Sequence, residues 1–479
     1  MPNPAHDSDS ISPEAWRVVI VATLGPFLST LDATVVNVSL SGLATELGSS
    51  LGVIQWVASG YLLSLALMLP LSGWLVDRIG ARKLYVWCFS AFTVASALCG
   101  AAWSPGSLIA FRVLQGMAGG LLAPMAQMMM ARAAGGRHMV KVMGYAAPPV
   151  MLGPLLGPVL AGFILQHSTW RWLFYINVPV GVLAVVLAIL FLPKDEHETN
   201  PRTLDFVGFL TLSPGLVAFL YGLDHLREPT GPYVFALSVV LIWIFLRGAA
   251  KKGSRALMNL SLFRGRVFSA AALTQFLANG VALSGQVLVP LYLINGCGIS
   301  PQRTGWLLAP LGIGMICSYP FMGTLARRFG IRYVSAGGAL FATLGTAPFI
   351  WMSQSHVLFI PLFLTLFVRG AGLGAINIPS ISAAYSAVPK KDLAMATTTL
   401  NILQRLGGPI MTTAIAIVVE WKAPNGSHLF RFPFSAAFIL LTAVQVFLFF
   451  AAMRLPLHLE HGDDVTQEAA QDSFEVFAE

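Results

Sequence analysis

The sequence predicts an all-α polytopic membrane protein, and three observations carry that prediction. Of its 479 residues, 56% are hydrophobic and only 10% are charged, against roughly 25% charged in a soluble globular chain. Mean hydropathy is +0.73. The apolar residues fall into fourteen blocks, most of them close to the ~20 residues that a helix needs to cross hydrocarbon. Barrel strands would be about 9–11 residues long and alternate with period two, and these blocks do neither.

In chain order the blocks are 17–41, 53–76, 84–103, 107–132, 142–166, 172–193, 204–223, 231–247, 267–293, 304–325, 333–352, 357–386, 394–420 and 433–454. The first is too long for a signal h-region and has no basic stretch before it, so it is expected to be retained. The 29 Lys and Arg residues sort by side. With both termini cytoplasmic, 21 lie on the cytoplasmic side and 5 on the other, while Arg112, Arg369 and Arg405 fall inside apolar blocks. The net charge of +8 is therefore read as positive-inside topology, not as a nucleic-acid footprint. Cys88, Cys99, Cys297 and Cys317 lack metal-ligand spacing and read as small hydrophobes.

The chain repeats itself. Gly73-Trp-Leu-Val-Asp77-Arg78-Ile-Gly80-Ala-Arg82-Lys83 follows the second block, and Gly323-Thr-Leu-Ala-Arg327-Arg328-Phe-Gly330-Ile-Arg332 follows the tenth. Two blocks later each copy has an Arg-bearing apolar helix, with Arg112 in one and Arg369 in the other. Two parallel six-helix halves with an extra helix pair between them account for this, and such halves are a transporter architecture with a central site. The expected divisions are an N-terminal tail 1–16, a first bundle 17–193, the extra pair and linkers 194–266, a second bundle 267–454 and an acidic tail 455–479.

Asp32 lies well inside the first block. A charge at the bilayer centre costs about 2.5–3.5 kcal/mol on insertion scales, and intramembrane ionisable groups are functional by default. The functional reading is a protonation site for ion coupling. The structural one is a helix–helix hydrogen bond near the membrane rim. Arg112, with Gln115 nearly one turn on, stays charged under essentially all conditions. Its expected partners are Asp32 and carbonyls of the first block, which makes it either half of a two-state switch or a structural ion pair.

Three further patterns follow. The loop of Gly73, Asp77, Arg78, Gly80, Arg82 and Lys83 reads as a latch between halves, because topology alone explains its basic residues but not its spaced glycines. Gly144, Gly153, Gly157, Pro158 and Gly162 place small residues along one helix, as in close helix packing, and are expected to form a seam between halves. Asn37, Trp56, Tyr61, Gln115, Gln275, Asn279, Gln286, Asn377, Asn401, Gln404 and Arg405 are the candidate substrate-cavity residues. Gln275, Asn279 and Gln286 share one helix face. Such polar groups line a water-filled cavity or bond helix to helix. Arg405, with no obvious acid nearby, calls for a cavity or an anionic ligand. No Walker A or HExxH sequence is present, so no enzyme activity, ATP coupling or metal site is expected.

Together these motifs resemble the major facilitator superfamily. Leu31-Asp32-Ala-Thr-Val-Val-Asn37 and Trp170-Arg171-Trp172-Leu-Phe-Tyr-Ile-Asn177-Val-Pro179 resemble its fourteen-helix drug/proton antiporter branch. The resemblance runs from about Trp16 to Leu455. Gly73–Lys83 is similar to its cytoplasmic signature loop, Arg112, Gln115 and Gly116 to its fourth-helix motif, and Gly144–Gly162 to its fifth-helix antiporter signature, with Ala161 where Gly is usual. The resemblance implies a major facilitator fold of two six-helix bundles plus two extra central helices. It implies proton-driven export of amphipathic drugs by rocker-switch alternation, with Asp32 and Arg112 as coupling residues. It further implies a multi-pass monomer in a bacterial inner membrane, with small molecules, protons and lipid as partners and no cofactor beyond the proton gradient. Branch members that export organic cations often carry further acids in the second half. Here the apolar blocks of that half offer only Glu420, near a helix end, which suits neutral, zwitterionic or anionic substrates better. Two alternatives stand beside this reading: export of one anionic metabolite or metal chelate, and a non-transporting receptor or scaffold on the same fold.

Overall fold

The computed structural model describes residues 11–194, 203–354, 359–389, 392–420 and 432–457. Among them are fourteen helices long and apolar enough to cross a membrane. These are α1 (Pro13–Asn37), α2 (Leu51–Ile79), α3 (Ala81–Gly100), α4 (Pro105–Ala134), α5 (His138–His167), α6 (Trp172–Phe191) and α7 (Phe206–Asp224). They continue with α8 (Gly231–Lys252), α9 (Arg266–Gly296), α10 (Arg303–Phe329), α11 (Ile331–Met352), α12 (Phe359–Ser386), α13 (Leu393–Val419) and α14 (Phe434–Ala452). The described helices match the fourteen expected blocks in number and order. The expected tail beyond residue 457 lies outside the described residues.

The repeat seen in the sequence is also a repeat of backbone, at an offset of 250 residues. Ser50 caps the start of α2, accepting from the Val53 amide, and Ser300 does the same for Arg303 just before α10. Each helix tightens into a 3₁₀ turn, Leu69–Leu71 in one and Tyr319–Phe321 in the other. Each then ends on a glycine of the same unusual conformation, Gly80 at φ 93, ψ 151 and Gly330 at φ 85, ψ 155. That region is nearly closed to any residue with a Cβ, so the spaced glycines of the signature loop are a backbone requirement.

Helical backbone runs from Pro105 to His167, with prolines at five interior positions, yet the chain doubles back. Arg112 bonds Asp32 while Gly153 abuts Thr30 and Leu31, on the same stretch of α1. A straight helix would hold residues 112 and 153 about 60 Å apart. The reversal therefore falls between α4 and α5.

Helices α1–α6 pack with one another, and α9–α14 do likewise. The α7–α8 hairpin leans on α2 and α13. Asp205 caps α7 through the Gly208 amide at 2.9 Å and takes the Lys252 ammonium from the end of α8 at 2.5 Å. Many outward side chains are large, apolar and exposed, such as Val240, Trp243, Phe363 and Phe447, as expected of a surface in contact with lipid tails.

One buried apolar cluster crosses between the two helix groups, joining Met125, Met139 and Val142 to Tyr319, Met322, Ala384 and Leu400. It lies at the end of the molecule where Leu457 meets Ile331 through a backbone hydrogen bond and Trp16 packs on Tyr145. Toward the opposite end each group has a separate cluster, one with Leu43, Ile54 and Trp170, the other with Leu293, Met352 and Phe434. The two groups are thus joined at the end where α1 begins and α14 ends.

Candidate functional site

Asp32 is 1% exposed and Arg112 is wholly buried. Arg112 Nη1 donates to Asp32 Oδ2 at 2.5 Å and to Gln115 Oε1 at 2.9 Å. The other carboxylate oxygen accepts from Gln115 Nε2 at 3.1 Å and from Asn177 Nδ2 at 2.7 Å. Asn177, on α6, also donates to Ser96 Oγ on α3. Helices α4 and α6 thus converge on a carboxylate of α1, with α3 behind Asn177. A buried pair is held only where such additional hydrogen bonds satisfy the remaining lone pairs.

The guanidinium is anchored from two more directions. Its Nε donates to the Val57 carbonyl at 3.1 Å, and its carbon sits 4.1 Å from the Tyr61 ring centroid. That carbonyl belongs to α2 and not to the first helix, as the sequence had led us to expect. Tyr61 is buried and shares a 2.8 Å hydrogen bond with Ser29 Oγ. Asn177 and Ser96 were not among the candidate residues, although Asn177 closes the Trp170–Pro179 motif. A neutral amide in an apolar block carries no charge penalty to flag it.

A second polar layer bridges the helix groups. Gln127 Oε1 on α4 accepts from Tyr385 OH at 2.7 Å and from Asn401 Nδ2 at 2.8 Å. Nearer the joined end, Ser72 Oγ and Thr398 Oγ1 are 2.7 Å apart. Gln127 and Tyr385 were also missed. Gln275 donates to the Asn377 carbonyl at 2.8 Å and to Ser380 Oγ at 2.6 Å, and accepts from Gln404 at 2.7 Å. The candidate side chains of Gln275, Asn401 and Gln404 are therefore interhelical ties, and Asn377 takes part through its backbone carbonyl. Arg405, the next residue on α13, is half-buried, and its charge is felt at the Tyr61 hydroxyl.

Other candidates lie apart from these layers. Trp56 is 43% exposed and stacks on Tyr221 of α7, centroids 6.0 Å apart, so it packs against the added hairpin. Asn37 and Gln286 are exposed and Asn279 is half-buried. The shared face of α9 thus grades from a buried tie at Gln275 to an exposed group at Gln286.

The two glycine motifs divide their work. A Cβ on Gly73 would stand 3.1 Å from the Ala394 carbonyl oxygen, and one on Gly323 would stand 3.0 Å from Lys141 Cα. Each copy of the loop therefore packs on the opposite helix group. Arg82, by contrast, bonds the Ile189 carbonyl of its own group, and Arg78 lies over Trp74. Asp77 and Lys83 also have partners. In the α5 row only Gly144 reaches the other group, at Tyr319. Gly153 and Gly157 pack on Thr30 and Thr34 of α1, and Gly162 meets nothing within 4 Å. The expected seam between halves is thus mainly a seam between α1 and α5, because small residues there let Thr30 and Thr34 sit against the α5 backbone.

The second helix group repeats part of the carboxylate site. Gln445 on α14 donates to Thr346 on α11 at 2.9 Å, as Asn177 does to Ser96. Arg369 on α12 is 1% exposed, and its Nη2 donates to the Val281 carbonyl of α9 at 3.2 Å. Its Nε and Nη1 have no partner. Gly285 of α9 lies directly against this guanidinium, and the sequences of α9–α14 contain no Asp or Glu.

Comparison with known proteins agrees with this architecture. Residues 22–412 match the Major Facilitator Superfamily. The chain is 31% identical over 415 residues to the multidrug resistance protein B homolog of Mycobacterium tuberculosis, covering 85% of this chain and 76% of that one. It is 32% identical over 372 residues to the putative multidrug resistance protein MdtD of Escherichia coli, covering 76% of this chain and 78% of that one. Among solved structures it resembles the human organic anion transporter MFSD10 (TETRAN), with TM-score 0.64, 19% identity and coverage of 92% and 100%. It also resembles the proton:xylose symporter XylE, with TM-score 0.60, 14% identity and coverage of 91% and 95%. With fourteen apolar helices, a duplicated backbone pattern and a family match over most of its length, the chain is a multi-pass membrane transporter of the Major Facilitator Superfamily.

Proposed function

We propose that this protein is a proton-coupled exporter of small amphipathic compounds, drugs among them, that works by alternating access. The observation that carries the reading is Asp32, a carboxylate sealed inside α1 and ringed by donors from α4 and α6. The ionised form accepts from Arg112, Gln115 and Asn177 at once. The protonated form has one oxygen converted to a donor and no charge to hold the guanidinium. Uptake of a proton therefore loosens α1 from α4, and release restores the grip. Such a differential is what an ion must supply to bias two conformations.

The helix groups α1–α6 and α9–α14 would rock as two units, with α7–α8 as an added pair. The apolar cluster at the joined end suits a state closed on that side and open on the other. Lys and Arg gather at the closed end, which makes it the cytoplasmic side by the positive-inside rule, with both termini there. The multidrug-resistance names of the bacterial relatives support drugs as cargo and a bacterial inner membrane as the setting. The protein would act as a monomer without a cofactor, and the Gly73–Lys83 loop would hold the cytoplasmic ends together.

Efflux by the purified protein in vesicles, with an imposed pH gradient and a panel of fluorescent amphipathic dyes, tests this. Asp32→Asn should abolish pH-driven efflux while the protein still folds and binds dye. Undiminished pH-driven efflux in that variant would overturn the reading.

A further inference from the structure

Intramembrane charges in this protein do not balance. Asp32 is matched by Arg112. Arg369 and Arg405 are matched by no acid, since α9–α14 contain none. Arg369 cannot meet a ligand in this state, because it is buried against Gly285 and Val281. It does make the interior of the second helix group positive, with two guanidinium nitrogens unbonded.

Arg405 is placed differently. It follows Gln404 on α13, one turn beyond Asn401, whose amide belongs to the layer that ties the two helix groups. One turn is about 5.4 Å of rise, directed away from the joined end. Arg405 therefore lies one turn past the tie between the groups, on the side away from the joined end and within electrostatic reach of Tyr61 on α2. It is half-buried, and among the described residues it has no hydrogen bond and no ion pair. Tyr61 itself is 1% exposed, with its ring held against Arg112. A half-buried guanidinium without a partner suits an amphipath that bears an oxyanion, since guanidinium pairs with carboxylate or sulfonate through two parallel hydrogen bonds.

We infer that the preferred cargo is an amphipathic monoanion, and that Arg405 is the residue that binds its charge. This rests on the exporter reading above for its vectorial part, but binding can be measured without transport. The uncompensated charge of Arg369 adds to the positive potential of the second helix group.

The test uses anilinonaphthalene sulfonate and its neutral counterpart phenylnaphthylamine, which share a ring frame and differ in the charge. Binding is read by quenching of protein fluorescence in detergent, and efflux is read in vesicles with a pH gradient. The wild-type protein should bind the sulfonate about tenfold more tightly than the neutral compound, as a charge-assisted hydrogen-bond pair gives. Arg405→Gln should erase that preference and leave the neutral compound within about twofold, which also shows that the variant is folded. Arg405→Lys should restore part of it. Equal loss for both dyes in Arg405→Gln, no change for either, or a wild-type preference for the neutral dye would overturn the inference. A binding preference that depends on Arg405 with no pH-driven efflux of any dye would instead sink the exporter reading and leave the anion site standing.

Discussion

At the scale of single residues, the site is organised around a charge that would be intolerable alone. Removing one member of a buried ion pair typically costs 3–5 kcal/mol, because the other is left uncompensated. Arg112→Gln should therefore lower thermal stability in detergent markedly, and adding Asp32→Asn should recover most of the loss. Melting of the two single variants and the double variant measures this; if the double variant melts lower than Arg112→Gln, the pair is not coupled as its 2.5 Å contact implies. This pair was legible in the sequence because charge in an apolar block is rare and demands a partner. Asn177, Ser96 and Gln127 were not legible. Neutral polar side chains occur in many membrane helices, and only the packing of distant helices decides which of them bond. The same limit explains Trp56: an aromatic residue in an apolar block gives no sign of whether it faces the centre or a neighbouring hairpin.

At the scale of elements, the fourteen spans and their pairing into copies were readable because they rest on local signals. Ser caps, apolar length and glycines of forced backbone shape are all written within a few positions of where they act. The partner of a small-residue row is not written locally, so the α5 glycines were assigned to the wrong neighbour. The α7–α8 hairpin offers a pH test outside the membrane. Burial alone would raise the Asp205 carboxyl pKa, but the Lys252 ammonium and the Gly208 and Leu257 amides outweigh it and hold the pKa below the ordinary carboxylate value. A group whose pKa is lowered on folding stabilises the fold above its unfolded pKa, about 4, and loses that contribution as pH falls through the lowered value. Asp205→Asn should thus melt below wild type at pH 7, and the gap should shrink steadily under acid from about pH 4 downward. A gap that is constant across this range would contradict the assignment.

At the scale of the whole molecule, the two helix groups meet through an apolar cluster and a few polar ties. Gln127 is a tie of unusual reach, because a single oxygen accepts from both α12 and α13. Gln127→Leu keeps the side-chain volume and removes both bonds. It should shift the population toward a form parted at the joined end, read as an increase of several angstroms in the distance between spin labels on α4 and α13. An unchanged distance distribution would show that the apolar cluster and the remaining ties hold the ends together without it.

Arg112 and Gln127 are both carried by α4, fifteen positions apart, about 22 Å along a straight helix. The residue that grips the acid and the residue that clasps the far bundle are therefore ends of one stiff rod. A small tilt at the first is delivered to the second at once, with no chain of intermediate side chains to convey it. Pro124 lies between them, three residues short of the clasp, and it is where such a rod would flex if the stroke and the grip were ever to fall out of step.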